Sequence, residues 1–291
     1  MDSVETRRGR RSKPHDGFIR KGALLLVPLL SLLAAPGKVA GVTGPHGSVD
    51  LVAEQTSVQP VQTFWVGLHF QLEQGWHIYW TNPGDSGEPP RVKWTLPAGF
   101  EAGPLRWPVP RRIEDHSLID YGYQNEALLP VEITPPEKLD GGSEVQLNAT
   151  VNWLVCREIC VPGRAALGLK LPVRKGTLEP PSPLHSLFAK ARADLPVPAP
   201  KSWKVTSNLD EHVFVLNVDT GKRETGAAFF PLDPNQIENA APQKVSPFSR
   251  GIRLELEKSD QLLKAPPRLR GVLVFTSGKG YVIEAPVITS K

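Results

Sequence analysis

Both cysteines of the 291-residue chain fall in one short segment, Val151-Asn152-Trp153-Leu154-Val155-Cys156-Arg157-Glu158-Ile159-Cys160-Val161-Pro162-Gly163. An extended strand carries residues four apart to about 13 Å, far beyond disulfide reach. Joining Cys156 to Cys160 therefore requires a turn between them. Residues 152–155 read as strand and Pro162-Gly163 as a second break, so a hairpin tip presenting both thiols is the simplest geometry. Two chemistries fit such a pair. A structural staple closing so short a loop is worth only ~2 kcal/mol by loop entropy, less than a long-range bridge. A redox pair would use one thiolate to attack a partner's disulfide and the other to resolve the intermediate. Arg157 favours a thiolate and Glu158 opposes it, so the sequence does not rank the reactivity of the two sulfurs. A metal role finds little support. Zinc takes four ligands, and no Cys-x-x-Cys or His-x₃-His pair accompanies these two; copper(I) favours Met, and the chain has only Met1.

The elements that must carry this tip read as β throughout. Phe64, Val66, Leu68, Phe70 and Leu72 alternate with Trp65, Gly67, His69 and Gln71, the period-two pattern of a strand with one buried face. Similar short runs lie at 76–80, 92–96, 128–133, 145–154 and 166–173. Turn clusters such as Asn82-Pro83-Gly84-Asp85 and Asp140-Gly141-Gly142-Ser143 separate them. Residues 174–200 then hold Pro180, Pro181, Pro183, Pro196, Pro198 and Pro200 around one helix-compatible stretch, 184–195. Alternation resumes at 213–218, 227–230, 252–256, 271–275 and 281–285. The pattern predicts an all-β chain, a β-sandwich followed by a second, smaller one. The expected organisation is an export signal at 1–41, a first domain at 42–174, a Pro-rich linker with a short helix at 175–200 and a second domain at 201–291.

Composition agrees. With 30 Pro, about twice ordinary usage, long helices are cut short, and 40% hydrophobic residues suffice for a core. The net charge of +4 misleads until it is located. Eight basic residues (Arg7, Arg8, Arg10, Arg11, Lys13, Arg20, Lys21, Lys38) against three acidic ones lie within 1–41, and the remainder is nearly neutral, which argues against a nucleic-acid partner. That basic stretch, the apolar run 23–35 and the small residues Val39-Ala40-Gly41 have the layout of an export signal. The apolar run is shorter than the ~20 residues needed to span a bilayer.

Other residues look chemically tempting. Gly84-Asp85-Ser86-Gly87-Glu88-Pro89 resembles the segment around the nucleophilic serine of chymotrypsin-like proteases. Ser86 comes too early for that chain order, and a turn is the simpler reading. Trp65, Trp76, Tyr79, Trp80, Trp94 and Trp107 read as core packing rather than a carbohydrate groove. His69, His77, His116, His185 and His212 show no spacing that singles one out.

A second resemblance is carried by several ordered motifs: Gly75-Trp76-His77-Ile78-Tyr79-Trp80, then Asn82-Pro83-Gly84-Asp85-Ser86-Gly87, then Tyr121-Gly122-Tyr123, then Trp153-Leu154-Val155-Cys156-Arg157-Glu158-Ile159-Cys160-Val161-Pro162. Residues 48–173 resemble the periplasmic N-terminal module of the DsbD/ScsB thiol:disulfide interchange proteins, with a weaker likeness beyond that includes Ala227-Ala228-Phe229-Phe230-Pro231. The resemblance implies an immunoglobulin-like sandwich and a periplasmic location. It implies that Cys156 and Cys160 are the redox pair, with Cys160 forming mixed disulfides, and that Tyr121 lies in a shielding cap loop. It also implies exchange without a bound cofactor, with thioredoxin-like or disulfide isomerase proteins as partners. The chain departs from the family in having three residues between its cysteines where enteric members have five. It also lacks the membrane and terminal thioredoxin-like domains, so electrons are expected from a separate membrane donor. The alternative expectation is a non-catalytic adaptor whose disulfide is structural.

Overall fold

The computed structural model describes residues 42–115, 117–176 and 182–289. The expected export signal at 1–41 lies outside the described residues, as do His116 and linker residues 177–181. Among the described residues the first block carries β1 (Val42–Gly44), β2 (Gly47–Ala53), β3 (Phe64–Leu72), β4 (His77–Gly84), β5 (Arg91–Thr95), β6 (Glu101–Ala102), β7 (Arg111–Asp115), β8 (Leu118–Gln124), β9 (Glu126–Thr134), β10 (Glu144–Cys156) and β11 (Cys160–Pro172). One sheet runs β1-β2-β3-β9-β6. The other runs β11-β10-β4-β8-β7, with β5 also paired to β10. The alternation in β3 puts Phe64, Val66, Leu68 and Phe70 into a shared core. There they join Val145, Leu147, Ala149, Val151, Trp153 and Val155 from alternate positions of β10. The Val, Leu and Phe side chains each contribute about 1.5–3 kcal/mol when fully buried, so the core holds the two sheets together.

The linker helix α1 (His185–Ala193) docks on the first sheet. Its buried Phe188 and Ala191 meet Leu128, with Val52 and Trp65 alongside. A polar clamp on the buried Glu54 adds to this: Arg192 takes both of its carboxylate oxygens, and His185 Nδ1 lies 2.8 Å from the same group.

The second block contains β12 (Val197–Pro198), β13 (Lys204–Asp210), β14 (Val213–Asp219), β15 (Ala227–Pro231), β16 (Lys244–Phe248), β17 (Gly251–Glu257), β18 (Arg268–Phe275) and β19 (Gly280–Thr289). They form one sheet in the order β15-β18-β19-β13-β14-β17-β16, with β12 beside β19. β19 pairs with β18 over its first residues and with β13 at Val287–Thr289, so it joins the two halves. Phe214, Leu216 and Leu254 from one half share a core with Leu269, Leu273 and Ile283 from the other. Phe230 and Val272 instead belong to the core of the first block.

The all-β expectation holds, with two local differences. β8 and its neighbour β7 escape a periodicity reading because Ile119 through Tyr123 are buried in succession. The anticipated turn at Asn82–Asp85 begins later, since β4 runs on to Gly84. It does so through a bulge, with five steps along β4 matching two along β8 between the pairs Tyr79↔Gly122 and Gly84↔Asp120.

Candidate functional site

The cysteines sit at the tip of the β10–β11 hairpin, whose pairing is continuous from Glu144↔Pro172 to Cys156↔Cys160. What fixes that register is Trp153, directly opposite Gly163. A Cβ on Gly163 would meet the indole at 2.2 Å, and one on Gly44 would meet it at 2.7 Å, so the ring lies flat across backbone that no other residue leaves open. A slip by one residue would turn Trp153, Val155 and their alternates out of the core. With the register set, Cys156 and Cys160 face each other at a Cα–Cα distance of 4.2 Å and are joined by a disulfide. Arg157, Glu158 and Ile159 form the turn. Pro162 is tolerated because β11 is an edge strand that owes no hydrogen bond to a further neighbour.

The two sulfurs have different surroundings. Cys156 is buried against β4, opposite His77, whereas Cys160 is exposed beside Ile159. An incoming thiolate therefore reaches Cys160. Arg157 and Glu158 are both exposed and face each other at 4.0 Å, so their opposed influences on the thiols are screened and largely cancel.

Tyr79 reaches the pair from β4, with its hydroxyl 3.4 Å from Cys160 Sγ and 3.2 Å from Ser86 Oγ. Ser86 donates its own proton to Asp120, with Oγ 3.0 Å from each carboxylate oxygen, and its backbone N–H donates to Asp120 Oδ1. The Tyr79 hydroxyl is thus within donating distance of both Ser86 Oγ and the sulfur. A disulfide sulfur is a weak acceptor and a thiolate a strong one. The hydroxyl is therefore placed to stabilise Cys160 more once it is reduced and ionised than while it is oxidised. His77 Nε2 lies 3.4 Å from Asp120 Oδ2, too poorly aligned for a hydrogen bond, and both residues are buried.

The Asn82–Gly87 motif makes this possible. Gly84 (φ 92°) and Gly87 (φ 74°) take left-handed backbone that flanks Asp85-Ser86. A Cβ on Gly87 would meet the Tyr79 ring at 2.0 Å, so the turn lies directly on the phenol. Asp85 Oδ2 accepts from the Ile119 N–H at 2.7 Å and ties the turn to β8. The motif is thus a turn, as expected, with Asn82 Oδ1 accepting locally from the Gly84 N–H, but Asp85 and Ser86 bridge to β8 instead of bonding their own backbone. It is not a protease triad: Ser86 Oγ donates straight to a carboxylate, with no imidazole interposed.

Tyr121, expected as the shielding residue, lies elsewhere. It is 2% exposed, its hydroxyl donates to Asn239 Oδ1 at 2.7 Å, and its ring meets Phe230 edge-on. Burial and the nearby Asp85 carboxylate push its pKa far above the ordinary phenol value. The tyrosine in contact with the disulfide is Tyr79. Sequence reasoning left Tyr79 to packing, found no spacing that singled out His77, and missed Asp120 and Asn239. The readable signal was an Asp-Ser dipeptide between two glycines, a pattern that sets polar side chains on a strained turn. Among the described residues no group of three or more His, Cys, Asp or Glu is placed to hold a metal ion.

Residues 48–172 match the family described as thiol:disulfide interchange protein DsbD, N-terminal. Among solved structures, the N-terminal periplasmic domain of ScsB from Proteus mirabilis is similar at 19% identity and a TM-score of 0.63, covering 84% of this chain and 95% of that one. That likeness in fold extends past residue 172 into the second block. The D312A variant of BcpA, the major pilin subunit of Bacillus cereus, aligns weakly at 10% identity and a TM-score of 0.28, over 85% of this chain and 70% of that one. The periplasmic chaperone SfaE does likewise at 10% identity and a TM-score of 0.21, over 84% and 100%. No curated protein sequence matches the chain.

Proposed function

Residues 48–172 belong to the DsbD N-terminal domain family, and from that premise we propose that Cys156 and Cys160 form an exchange centre passing electrons to other exported proteins. The observation that carries this reading is the asymmetry of the pair: Cys160 is exposed with a phenol hydroxyl 3.4 Å from its sulfur, while Cys156 is buried behind it. In the reduced module the Cys160 thiolate attacks a partner's disulfide. The partner's S–S bond breaks, a mixed disulfide forms and the displaced partner sulfur takes up a proton. Cys156 then loses its proton and attacks Cys160 Sγ, releasing the partner's second sulfur as a thiolate. Two electrons pass to the partner, and the module ends oxidised. Re-reduction by a membrane dithiol donor would return the module to its starting state, and partners of thioredoxin-like or disulfide isomerase type fit the chemistry. No bound cofactor is needed. Export through the 1–41 signal would place the pair in an oxidising compartment, and 42–174 and 201–291 are proposed as the two domains flanking the 175–200 linker.

The test is the reduction potential of the pair, read by mass after alkylation in graded thiol buffers. A value between about −180 and −270 mV, the span of known exchange proteins, is expected, together with capture of a mixed disulfide by Cys156→Ser. A bond that stays closed below about −300 mV overturns the proposal in favour of a structural staple in an adaptor protein.

A further inference from the structure

The second block touches the first where the redox turn is anchored. Asn239, on the segment between β15 and β16 and buried, uses both polar atoms of its side chain: Nδ2 donates to Asp85 Oδ1 at 2.7 Å, and Oδ1 accepts from the Tyr121 hydroxyl at 2.7 Å. Arg112 holds the backbone of the same segment by donating to the Asn239 and Ala240 carbonyls. Beside it, Asn82 Nδ2 donates to the Pro231 carbonyl at 2.8 Å, and Phe230 packs edge-on against both Trp80 and Tyr121. These contacts converge on residues 82–86 and 119–121. The same residues place Ser86 on Asp120 and hold Gly87 against the Tyr79 ring.

We propose that Asn239 is a positioning residue for the disulfide centre, so that the second block sets the reactivity of Cys160 from outside the redox domain. This rests on the exchange reading above and adds a role for residues 201–291. The chain of contact runs from Asn239 to Asp85, along the backbone to Ser86 and Gly87, and from these to the Tyr79 phenol and Cys160 Sγ. Without the amide, the Asp85 carboxylate loses its second anchor and the turn lifts from the ring. Tyr79 then spends part of its time away from the sulfur, and the Cys160 thiolate loses a positioned donor. An amide is required at this position. A carboxylate there would face that of Asp85 at hydrogen-bond distance, and an apolar side chain would leave both Asp85 Oδ1 and the Tyr121 hydroxyl unpaired.

The experiment uses the full chain in a Cys156→Ser background, where Cys160 is the lone thiol, and follows alkylation by iodoacetamide against pH. Asn239→Ala is expected to move the midpoint to higher pH and to slow alkylation near neutrality about three- to ten-fold, the loss of roughly one hydrogen bond to the thiolate. Leu216→Ala, which weakens the core of the second block away from the contact, is expected to keep the parent midpoint. An Asn239→Ala midpoint equal to or below the parent's overturns the proposal, as does an equal upward shift in Leu216→Ala. Should Asn239→Ala fail to fold, Tyr121→Phe removes a single hydroxyl from the same amide, and the same criteria apply with a smaller expected shift. The readout does not depend on partner exchange. A parent pair locked below the exchange range would therefore sink the functional reading while leaving this coupling measurable.

Discussion

The Tyr79 hydroxyl discriminates between oxidation states because its acceptor changes character on reduction. It lies within hydrogen-bond distance of both Ser86 Oγ and Cys160 Sγ, and Ser86 spends its own proton on Asp120. The phenol therefore stabilises a Cys160 thiolate more than it does the disulfide. Tyr79→Phe in the otherwise native chain is expected to raise the Cys160 thiol pKa by about one unit, equivalent to one charge-assisted hydrogen bond. It should also slow the second step of reduction by dithiothreitol, in which the reagent's other thiolate attacks its own sulfur in the mixed disulfide and Cys160 leaves as a thiolate that Tyr79 no longer stabilises. Stopped-flow reduction and pH-dependent alkylation would check both. An unchanged pH profile would remove Tyr79 from the mechanism and leave it as packing.

Two elements carry the site, and each is fixed by a glycine that admits an aromatic ring. In the β10–β11 hairpin, Trp153 over Gly163 sets the register that brings the cysteines face to face. In the 84–87 turn, Gly87 combines a positive φ with contact on the Tyr79 ring, so any side chain meets both strain and overlap. Gly87→Ala is expected to cost about 2 kcal/mol or more, lowering the thermal midpoint by several degrees. Calorimetry would read this directly, and a midpoint within a degree of the parent would show that the turn moves freely off the ring.

Across the whole molecule, the buried Tyr121 phenol joins the two blocks through Asn239 and Phe230, while the Tyr123 hydroxyl donates to the Pro108 carbonyl inside the first block. Burial raises the pKa values of Tyr121 and Tyr123 well above 10, where they would ionise in the unfolded chain. Since the folded values lie above the unfolded one, the stabilisation is complete below about pH 10 and is lost as the pH rises through and beyond it. Denaturant unfolding is therefore expected to show falling stability above about pH 10, with tyrosinate absorbance from these two residues appearing together with unfolding. Tyr121→Phe should make that decline shallower while costing about 1 kcal/mol at neutral pH for the lost bond to Asn239. Tyrosinate formation without loss of structure would contradict the buried placement.

The all-β class, the hairpin tip and the pairing of Cys156 with Cys160 were legible because they depend on local rules: period-two alternation, Gly/Pro turns and the reach of a strand. β8 was not, because consecutive burial from Ile119 to Tyr123 erases the alternation that a one-faced strand shows. Nor was the choice between Tyr79 and Tyr121. Both are aromatic residues in strands, and only the β4 bulge and the packing of the second block turn one hydroxyl to sulfur and the other to Asn239. Asp120 and Asn239 lie 34 and 154 residues from the turn they hold. Sequence spacing carries no signal across such distances; Asp120 meets the turn because β8 pairs with β4, and Asn239 because the second block packs on the first, and both exist only in three dimensions.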